Sequence, residues 1–508
     1  MQLDISTHPL TSANSKLAVA QLGRGDLPIY QAIADQLHDA ITKSTLRAGD
    51  RMPSVRTLCS QFGVSPGTAT QAFRVLEMRM LVEARPKSGY FVRHASLQLS
   101  AQSLARLPVV DSVQLEAPVS GMPDTTRIVR EFAELCGGPY VTPFAAATPD
   151  RRLLPEAKIQ SLIATINRRR GFNASYPSHI GSLELRNQIA RCVLTNGVQI
   201  SADDIVATEG CMEALSIALR SVAKPGDTIA VESPTYFSLL QTLESLGMNV
   251  LEIPTHPREG ISIEALELAT RGVGNCGGRV QAIVVMPNFQ NPLGSLMSDE
   301  RKQQLLALAI ERDIPIIEDD VYGDLHHEMP RPWPIKAWDR DGRVLLCSSF
   351  SKTIAPSLRV GYLIAGRYRE RAATIKYITS VASTSLQQDV VAAFISDGGY
   401  QHHLRKLRAA LKANTARMIS AMSEAFPEGC RVSMPRGGYI LWVELPKTVD
   451  SRVLFRRAAD KHIAIAPGAV FSLTGRYNNY LRRHSGAVWD DQLRDGLFQL
   501  GRLIRENV

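Results

Sequence analysis

Cysteine is scarce in this 508-residue sequence. Its seven thiols, Cys59, Cys136, Cys192, Cys211, Cys276, Cys347 and Cys430, are scattered and form no Cys-x-x-Cys pair. That spacing argues against a disulfide scaffold or a cysteine-held zinc and fits a reducing compartment. No apolar run approaches the ~18 residues of a membrane span. No secretory apolar stretch follows Met1 either, because the run after Lys16 soon meets Arg24. A cytoplasmic protein with no membrane partner is expected. The pairs His326-His327 and His402-His403 lack partners at i, i+4 spacing, so no metal site is expected. Gly272-Val273-Gly274-Asn275-Cys276-Gly277 fits G-x-G-x-x-G but precedes a strand, whereas the dinucleotide fingerprint follows a strand and opens a helix. It reads as a loop, and internal repeats are absent. Acidic residues are the minority charge: 49 against 58 Lys and Arg, a net +9 with a pI near 9.2. Between Lys43 and Arg93 nine basic residues face three acidic ones. The surplus concentrates near the N-terminus, where contacts with a polyanion are expected.

What is present divides the chain. Hydrophobic residues make up 44%, an ordinary globular share, and the length suggests about three domains. Residues 1–26 are polar and irregular, an arm. Ile29, Ile33, Leu37 and Ile41 then recur every four residues, one face of a helix. Ser54 caps a second helix carrying Val55, Leu58 and Phe62, which Gly63 ends. Ser65 and Pro66 start a third, running to about Met78 with Ala69, Phe73 and Leu76 inward. Segments 81–85 and 89–93 read as two strands around Pro86-Lys87-Ser88. Three helices and a hairpin make a winged helix over 27–95. Residues 96–140 are rich in Ser, Pro and Gly and read as a linker with one helix near 125–135.

In a helix-turn-helix the start of the second helix of the motif meets the major groove. Here that start offers Ser65, Gly67, Thr68 and Thr70 for phosphates or bases, and Gln71 for an adenine edge. Arg56, in the preceding helix, is placed to contact the DNA backbone, and the hairpin tip Lys87-Ser88-Gly89 could reach an adjacent minor groove. On helix pattern alone a protein-interaction module with a solvated basic face fits equally well. Pro28-Ile29-Tyr30-Gln31, the stretch from Leu46 to Arg56 (LRAGDRMPSVR) and Gly63-Val64-Ser65 resemble the GntR family of regulators over about 65 residues. The resemblance implies a winged helix that binds double-stranded operator DNA. Many relatives carry an arginine early in the recognition helix, where this chain has Pro66.

From 141 to 508 strand-like and helical runs alternate, which implies a mostly parallel sheet wrapped by helices. A smaller α+β subdomain is expected over about 400–508. Several strand ends carry reactive or polar residues. Lys352, in Ser349-Phe350-Ser351-Lys352, follows the strand Val344 to Cys347 and could be a desolvated amine, although a lone lysine is more often a surface one. Ser349 and Arg359 suit a phosphate. Asp319 closes another strand and could pair with a buried pyridinium or simply cap a helix. Tyr322 and Asn291 could each reach a ring oxygen, and Asn291-Pro292 is also an ordinary turn. Gly210, Cys211 and Met212 open a helix whose amides could bind phosphate. Tyr236 could stack on a ring or sit in a core. Together these are the parts that pyridoxal phosphate (PLP) chemistry demands.

As a set, these segments resemble fold-type I aminotransferases over about 365 residues. The resemblance makes Lys352 the Schiff-base lysine and Asp319 the pyridinium partner. It places Asn291 and Tyr322 at the ring oxygen and Tyr236 on the ring. It gives the phosphate to Gly210, Cys211, Met212, Ser349 and Arg359, with Tyr176 reaching the neighbouring subunit's phosphate. Arg482 would hold a substrate carboxylate. Arg483, His484 and Ala147 depart from the family's pattern. The combination resembles MocR-type regulators, which implies a homodimeric transcription regulator. Its PLP domain would sense PLP itself or an amine or amino-acid effector through exchange of the lysine aldimine. The alternative is a metabolic aminotransferase with an accessory DNA-binding domain. An inactive, cofactor-free domain is disfavoured, because no expected cofactor group is missing.

Overall fold

Four-residue apolar spacing produces helix α1 (Ile29–Thr42), which buries Ile33, Leu37 and Ile41. Helix α2 (Val55–Phe62) starts where Ser54 Oγ accepts the Thr57 N–H at 3.1 Å. It ends at Gly63, whose φ of 64° is a left-handed cap that favours glycine. Helix α3 (Pro66–Met78) starts behind Ser65, whose Oγ accepts the Thr68 N–H at 3.2 Å. Strands β1 (Val82–Arg85) and β2 (Gly89–Val92) form an antiparallel hairpin. Tyr90 lies flat on Phe73 of α3, ring centroids 4.3 Å apart, and this contact fastens the hairpin to the helix. Residues 49–52 run beside β2 through hydrogen bonds such as Met52 N–H to Tyr90 O, 2.8 Å. Three helices and a wing, as the sequence predicts, close on one core from Ile33 to Val92.

The computed structural model describes residues 28–42, 45–46, 49–78, 81–85, 89–92, 119, 129–131, 134, 142–170, 175–271 and 279–507. Lys87, Ser88, the loop at 272–278 and most of the linker lie outside these. Of the expected 125–135 helix, residues 129–131 and 134 are described, and they are helical. The chain forms two units, 1–103 and 104–508.

In the second unit, strands and helices alternate along the chain. They are β3 (Ile205–Thr208), α4 (Cys211–Val222), β4 (Thr228–Ser233), α5 (Phe237–Ser245), β5 (Asn249–His256), β6 (Gly260–Ile261), β7 (Val280–Val285), α6 (Asp299–Glu311), β8 (Ile316–Asp319), β9 (Val344–Ser349) and β10 (Gly361–Ile364). The sheet order is β3-β10-β9-β8-β7-β4-β5-β6. Strands β9, β8, β7, β4 and β5 are mutually parallel; β10 and β6 run against their neighbours. The central strands β4, β8 and β9 are buried along their whole length: their first parts are mainly apolar, and their carboxyl ends carry buried polar residues such as Asp319 and Ser349. Val119, from the linker, hydrogen-bonds to Val250 of β5 at 3.0 and 3.2 Å.

A 27-residue helix, α7 (Gly399–Ala425), ties two cores together. Its first half packs Tyr400, Leu404, Leu407 and Leu411 into the large lobe. Its second half packs Met418, Ile419, Met422 and Ala425 into the small one. The small lobe is an antiparallel sheet, β11 (Arg431–Val432), β12 (Ile440–Glu444), β14 (Tyr480–His484) and β13 (Ala466–Pro467) in spatial order, covered by α8 (Asp491–Arg505). A short strand at Thr142–Pro143, which sequence periodicity does not reveal, pairs in parallel with Ile463–Ala464 and joins this lobe.

Candidate functional site

In the first unit, Arg56, Ser65, Gly67 and Gly89 are exposed, and Thr68, Thr70 and Gln71 are half-buried. Those from 56 to 71 lie on α2 and at the start of α3, while Gly89 opens β2. Ala69 and Phe73 turn inward with no exposure, so the polar residues at 68, 70 and 71 take the helix's other sides. The Ser65 and Thr68 hydroxyls bond each other at 2.9 Å at the start of α3. Gly89 has φ of 96°, which keeps β2 close to the Arg51 side chain.

In the second unit one cavity of about 210 Å³ opens at the carboxyl ends of the strands, where open α/β sheets bind ligands. Cys211, Met212, Tyr236, Asn291, Asp319, Tyr322, Ser349, Lys352 and Arg359 all line it. Gly210, the residue before α4, sits under Arg359: a Cβ there would fall 2.4 Å from the guanidinium. Lys352 Nζ donates to the Ala147 carbonyl at 2.6 Å, across 205 positions of sequence. Burial, with Arg482 and Arg359 nearby, brings its pKa down to about 8. Asp319 accepts the Val321 N–H at 3.1 Å and lies 3.5 Å from the Cys211 thiol. Burial pushes this carboxyl up to about 7 and the Cys211 thiol well above its usual range. Cys211 is thus a neutral donor to the carboxylate and a poor nucleophile. Burial also raises the Tyr322 phenol, whose ring meets Tyr439 edge-on at 5.5 Å. Arg359 adopts φ of 52°, rare for a side-chain-bearing residue, and reaches Ser351 Oγ at 3.2 Å and the Glu209 carbonyl at 2.9 Å. Ser351 lines the cavity with Met286, Val321 and Ala147. These four are not among the site residues expected from sequence. For Ser351 the signal was there, in the same Ser-x-Ser-Lys stretch as Ser349.

Arg482 is buried behind the cavity, its Nη1 3.2 Å from Asn291 Oδ1 and its Nη2 on the Ala145 carbonyl. Arg483, next in sequence, points to the opposite face of β14, as strand alternation requires. It lies 3.6 Å from the Phe144 ring centre inside the small-lobe core, and burial lowers its pKa to about 9. The departure from the family's pattern at Arg483 therefore does not alter the Arg482 side. Tyr176 is 85% exposed and outside the cavity of its own chain.

Residues 146–486 match the aminotransferase class I and II family, and residues 29–92 match the bacterial regulatory proteins of the gntR family. The HTH-type transcriptional regulator YjiR of Escherichia coli (strain K12) is 39% identical over 94% of this chain and 98% of its own. The chain belongs to the MocR-type transcriptional regulators. Two solved structures resemble the second unit of this MocR-type protein. Kynurenine aminotransferase of Pyrococcus horikoshii has a TM-score of 0.69 and 29% identity, covering 75% of this chain and 95% of that one. The α-aminoadipate aminotransferase LysN of Thermus thermophilus, complexed with N-(5'-phosphopyridoxyl)-L-leucine, has a TM-score of 0.68 and 26% identity, covering 74% and 94%. This MocR-type regulator is a DNA-binding transcription regulator whose second unit takes pyridoxal phosphate. No helix among the described residues is long and apolar enough to cross a membrane.

The residues present fit that cofactor. When bound, it supplies an aldehyde for amines and an electron-withdrawing ring. The amide end of α4, the Ser349 and Ser351 hydroxyls and Arg359 converge as an anion cup whose tight seat at Gly210 admits no side chain. Asp319 is a buried carboxyl suited to a cationic ring nitrogen. Lys352, with its lowered pKa, gives up its proton more readily than a solvated lysine, and the neutral amine is the form that attacks a carbonyl.

Proposed function

We propose that the regulator senses an amine or amino acid at Lys352 and reports it to an operator through the winged helix. The supporting observation is a lysine of lowered pKa inside a cavity whose lining suits the cofactor, in a chain that also carries a DNA-binding unit. In this reading Lys352 Nζ carries the cofactor, and an effector's amine competes for the same carbon. Asp319 holds the ring nitrogen protonated. Asn291 and Tyr322 hold the ring oxygen, and Tyr236 covers the ring. Gly210, Cys211, Met212, Ser349 and Arg359 hold the phosphate, and Arg482 grips a carboxylate. Arg56, Ser65, Gly67, Thr68, Thr70, Gln71, Lys87, Ser88 and Gly89 face DNA. The active form is a homodimer in the cytoplasm. Tyr176 reaches the partner's phosphate, which agrees with its exposure and with the exposed Tyr377 and Ile378 (55% and 67%).

The experiment measures affinity for an operator, selected from genomic fragments, with and without amines that shift the cofactor's absorbance, beside steady-state transamination with a keto acid. An affinity change of roughly 5–150-fold with slow turnover supports sensing. Unchanged affinity with rapid turnover supports the metabolic aminotransferase instead. A monomer by sedimentation at micromolar concentration overturns the shared site.

A further inference from the structure

A chain of polar groups joins the residue after Asp319 to the residue after Lys352, outside the cofactor cavity. Asp320 continues β8, and its Oδ2 accepts Arg331 Nη2 at 2.6 Å. Arg331 Nε donates to Asp324 Oδ1 at 2.6 Å. The Tyr400 phenol, in the first turn of α7, lies 2.9 Å from Asp324 Oδ2 and 3.2 Å from Thr353 Oγ1. His403, one turn on, meets the Thr353 carbonyl with Nε2 at 2.7 Å, so that nitrogen carries the proton. Arg408, further along α7, donates through Nε to the Asp324 carbonyl at 2.6 Å. None of these residues lines the cavity.

Proton affinities fix the direction of the bonds. Burial would raise the Asp324 carboxyl, but Arg331 beside it, helped by Arg408, holds it below its ordinary range. Burial, with Asp324 and Cys192 nearby, pushes the Tyr400 phenol well above its own. The phenol therefore keeps its one proton and gives it to the carboxylate, and its oxygen is left to accept the Thr353 hydroxyl. Burial, with Lys406 and His402 nearby, lowers His403, which donates as a neutral ring. Thr353 is thus gripped from α7 at both its hydroxyl and its carbonyl. Tyr400 is itself seated by edge-on contacts with Phe350 and Phe394, ring centroids 5.9 and 6.3 Å away.

We propose that Tyr400, backed by Asp324, is a positioning residue that keeps Lys352 inside the cavity by gripping Thr353. Lys352 ends the short turn Phe350–Lys352, and Thr353 is its next neighbour. The Lys352 amine reaches the Ala147 carbonyl only while that backbone stays in place. Arg482 from β14, Arg359 from the turn before β10, Asp319 from β8 and the Cys211 thiol from α4 face this amine. The phenols Tyr236 and Tyr322 share its cavity. None of these depends on the Tyr400 hydroxyl. Burial is the largest cause of the lowered lysine pKa, so a Lys352 free to swing towards solvent regains proton affinity.

The test labels the full-length, cofactor-free protein with acetic anhydride, which acylates the neutral amine. The rate at Lys352 is read from its peptide by mass measurement and corrected for hydrolysis of the reagent. The ratio of rates at about pH 10 and about pH 7 cancels differences in access; a lysine of pKa about 8 gives about tenfold. Tyr400→Phe keeps the ring and removes the hydroxyl, and its ratio should grow to roughly 30–100-fold. Thr353→Val, which removes the other hydroxyl, should do the same. An unchanged ratio in both variants overturns the role of Tyr400, even if they melt at lower temperature. Ser221→Ala is the control, since it loses a buried hydroxyl bond on α4, to the Ile217 carbonyl at 2.7 Å. It should leave the ratio alone; a ratio that moves there too marks general loosening and overturns the proposal. Only the consequence for sensing rests on the role proposed for Lys352: cofactor attachment to Tyr400→Phe should slow about three- to tenfold at neutral pH. Labelling involves no cofactor. If the cofactor proves to be attached elsewhere while the ratio still moves, the sensing role of Lys352 falls and the grip of Tyr400 stands.

Discussion

The winged helix carries the side chains proposed to face DNA mainly in one short stretch, Arg56 to Gln71, and leaves them outside or half-outside. The cofactor cavity gathers its side chains from Ala147 to Arg359, with Arg482 behind, and encloses them. The difference sets what each site can do. An exposed arginine keeps its charge and trades counterions with DNA, so its contribution is read in salt dependence. An enclosed lysine or carboxyl changes its proton affinity, so its contribution is read in pH and in chemistry. Substitutions in the first site should change affinity and leave stability alone; those in the second should change chemistry first.

The sharpest break in that comparison is Lys352→Ala. Borohydride reduction followed by mass measurement should find no cofactor attached, against one per chain in the wild type. Attachment elsewhere would refute the assignment. Next in size is a pH effect. The Lys352 pKa is lowered to about 8, and the neutral amine is the attacking form. Cofactor attachment to the apoprotein should therefore slow about tenfold per pH unit below 8 and level off above it. A rate still climbing at about pH 10 would mean an ordinary, solvated lysine. Asp319→Ala should weaken cofactor binding roughly 10–150-fold, the loss of about 1.5–3 kcal/mol for a bond to a charged group. Absorbance titration reads this, with melting of the winged helix unchanged.

Arg483 turns the comparison around, because it is an enclosed charge with no site to serve. Its Nε and Nη1 have no hydrogen-bond partner among the described residues. Arg483→Met should stabilise the second unit by about 1–3 kcal/mol, since burying a guanidinium costs more than burying a thioether. Thermal unfolding that drops instead would reveal a partner. The smallest effect belongs to Arg56→Ala. Operator affinity should fall for all sequences alike, with a salt slope flatter by roughly one unit and no change in melting.

Local chemistry made the winged helix legible before any coordinates. Ser54, Gly63, Ser65 and Pro66 each mark a helix end through contacts with residues at most four positions away. The parallel sheet was legible from apolar runs, and Lys352, Asp319 and Asn291 from their places at strand ends. Their mutual arrangement was not. The Ala147 carbonyl under Lys352 and the Arg482–Asn291 bond join segments about two hundred positions apart, and no periodicity encodes such a meeting. The side of β14 taken by Arg483 was hidden for a different reason. Alternation shows that neighbours diverge, while only packing shows which of them meets Phe144.

The order of these parts along the chain also has a consequence in time. The winged-helix core needs nothing beyond Val92, while the arginine behind the cofactor cavity is Arg482. At about 5–20 residues per second, a ribosome takes roughly 20–80 s to travel between them. For that interval the nascent chain carries the winged-helix sequence while the cofactor cavity still lacks the arginine behind it.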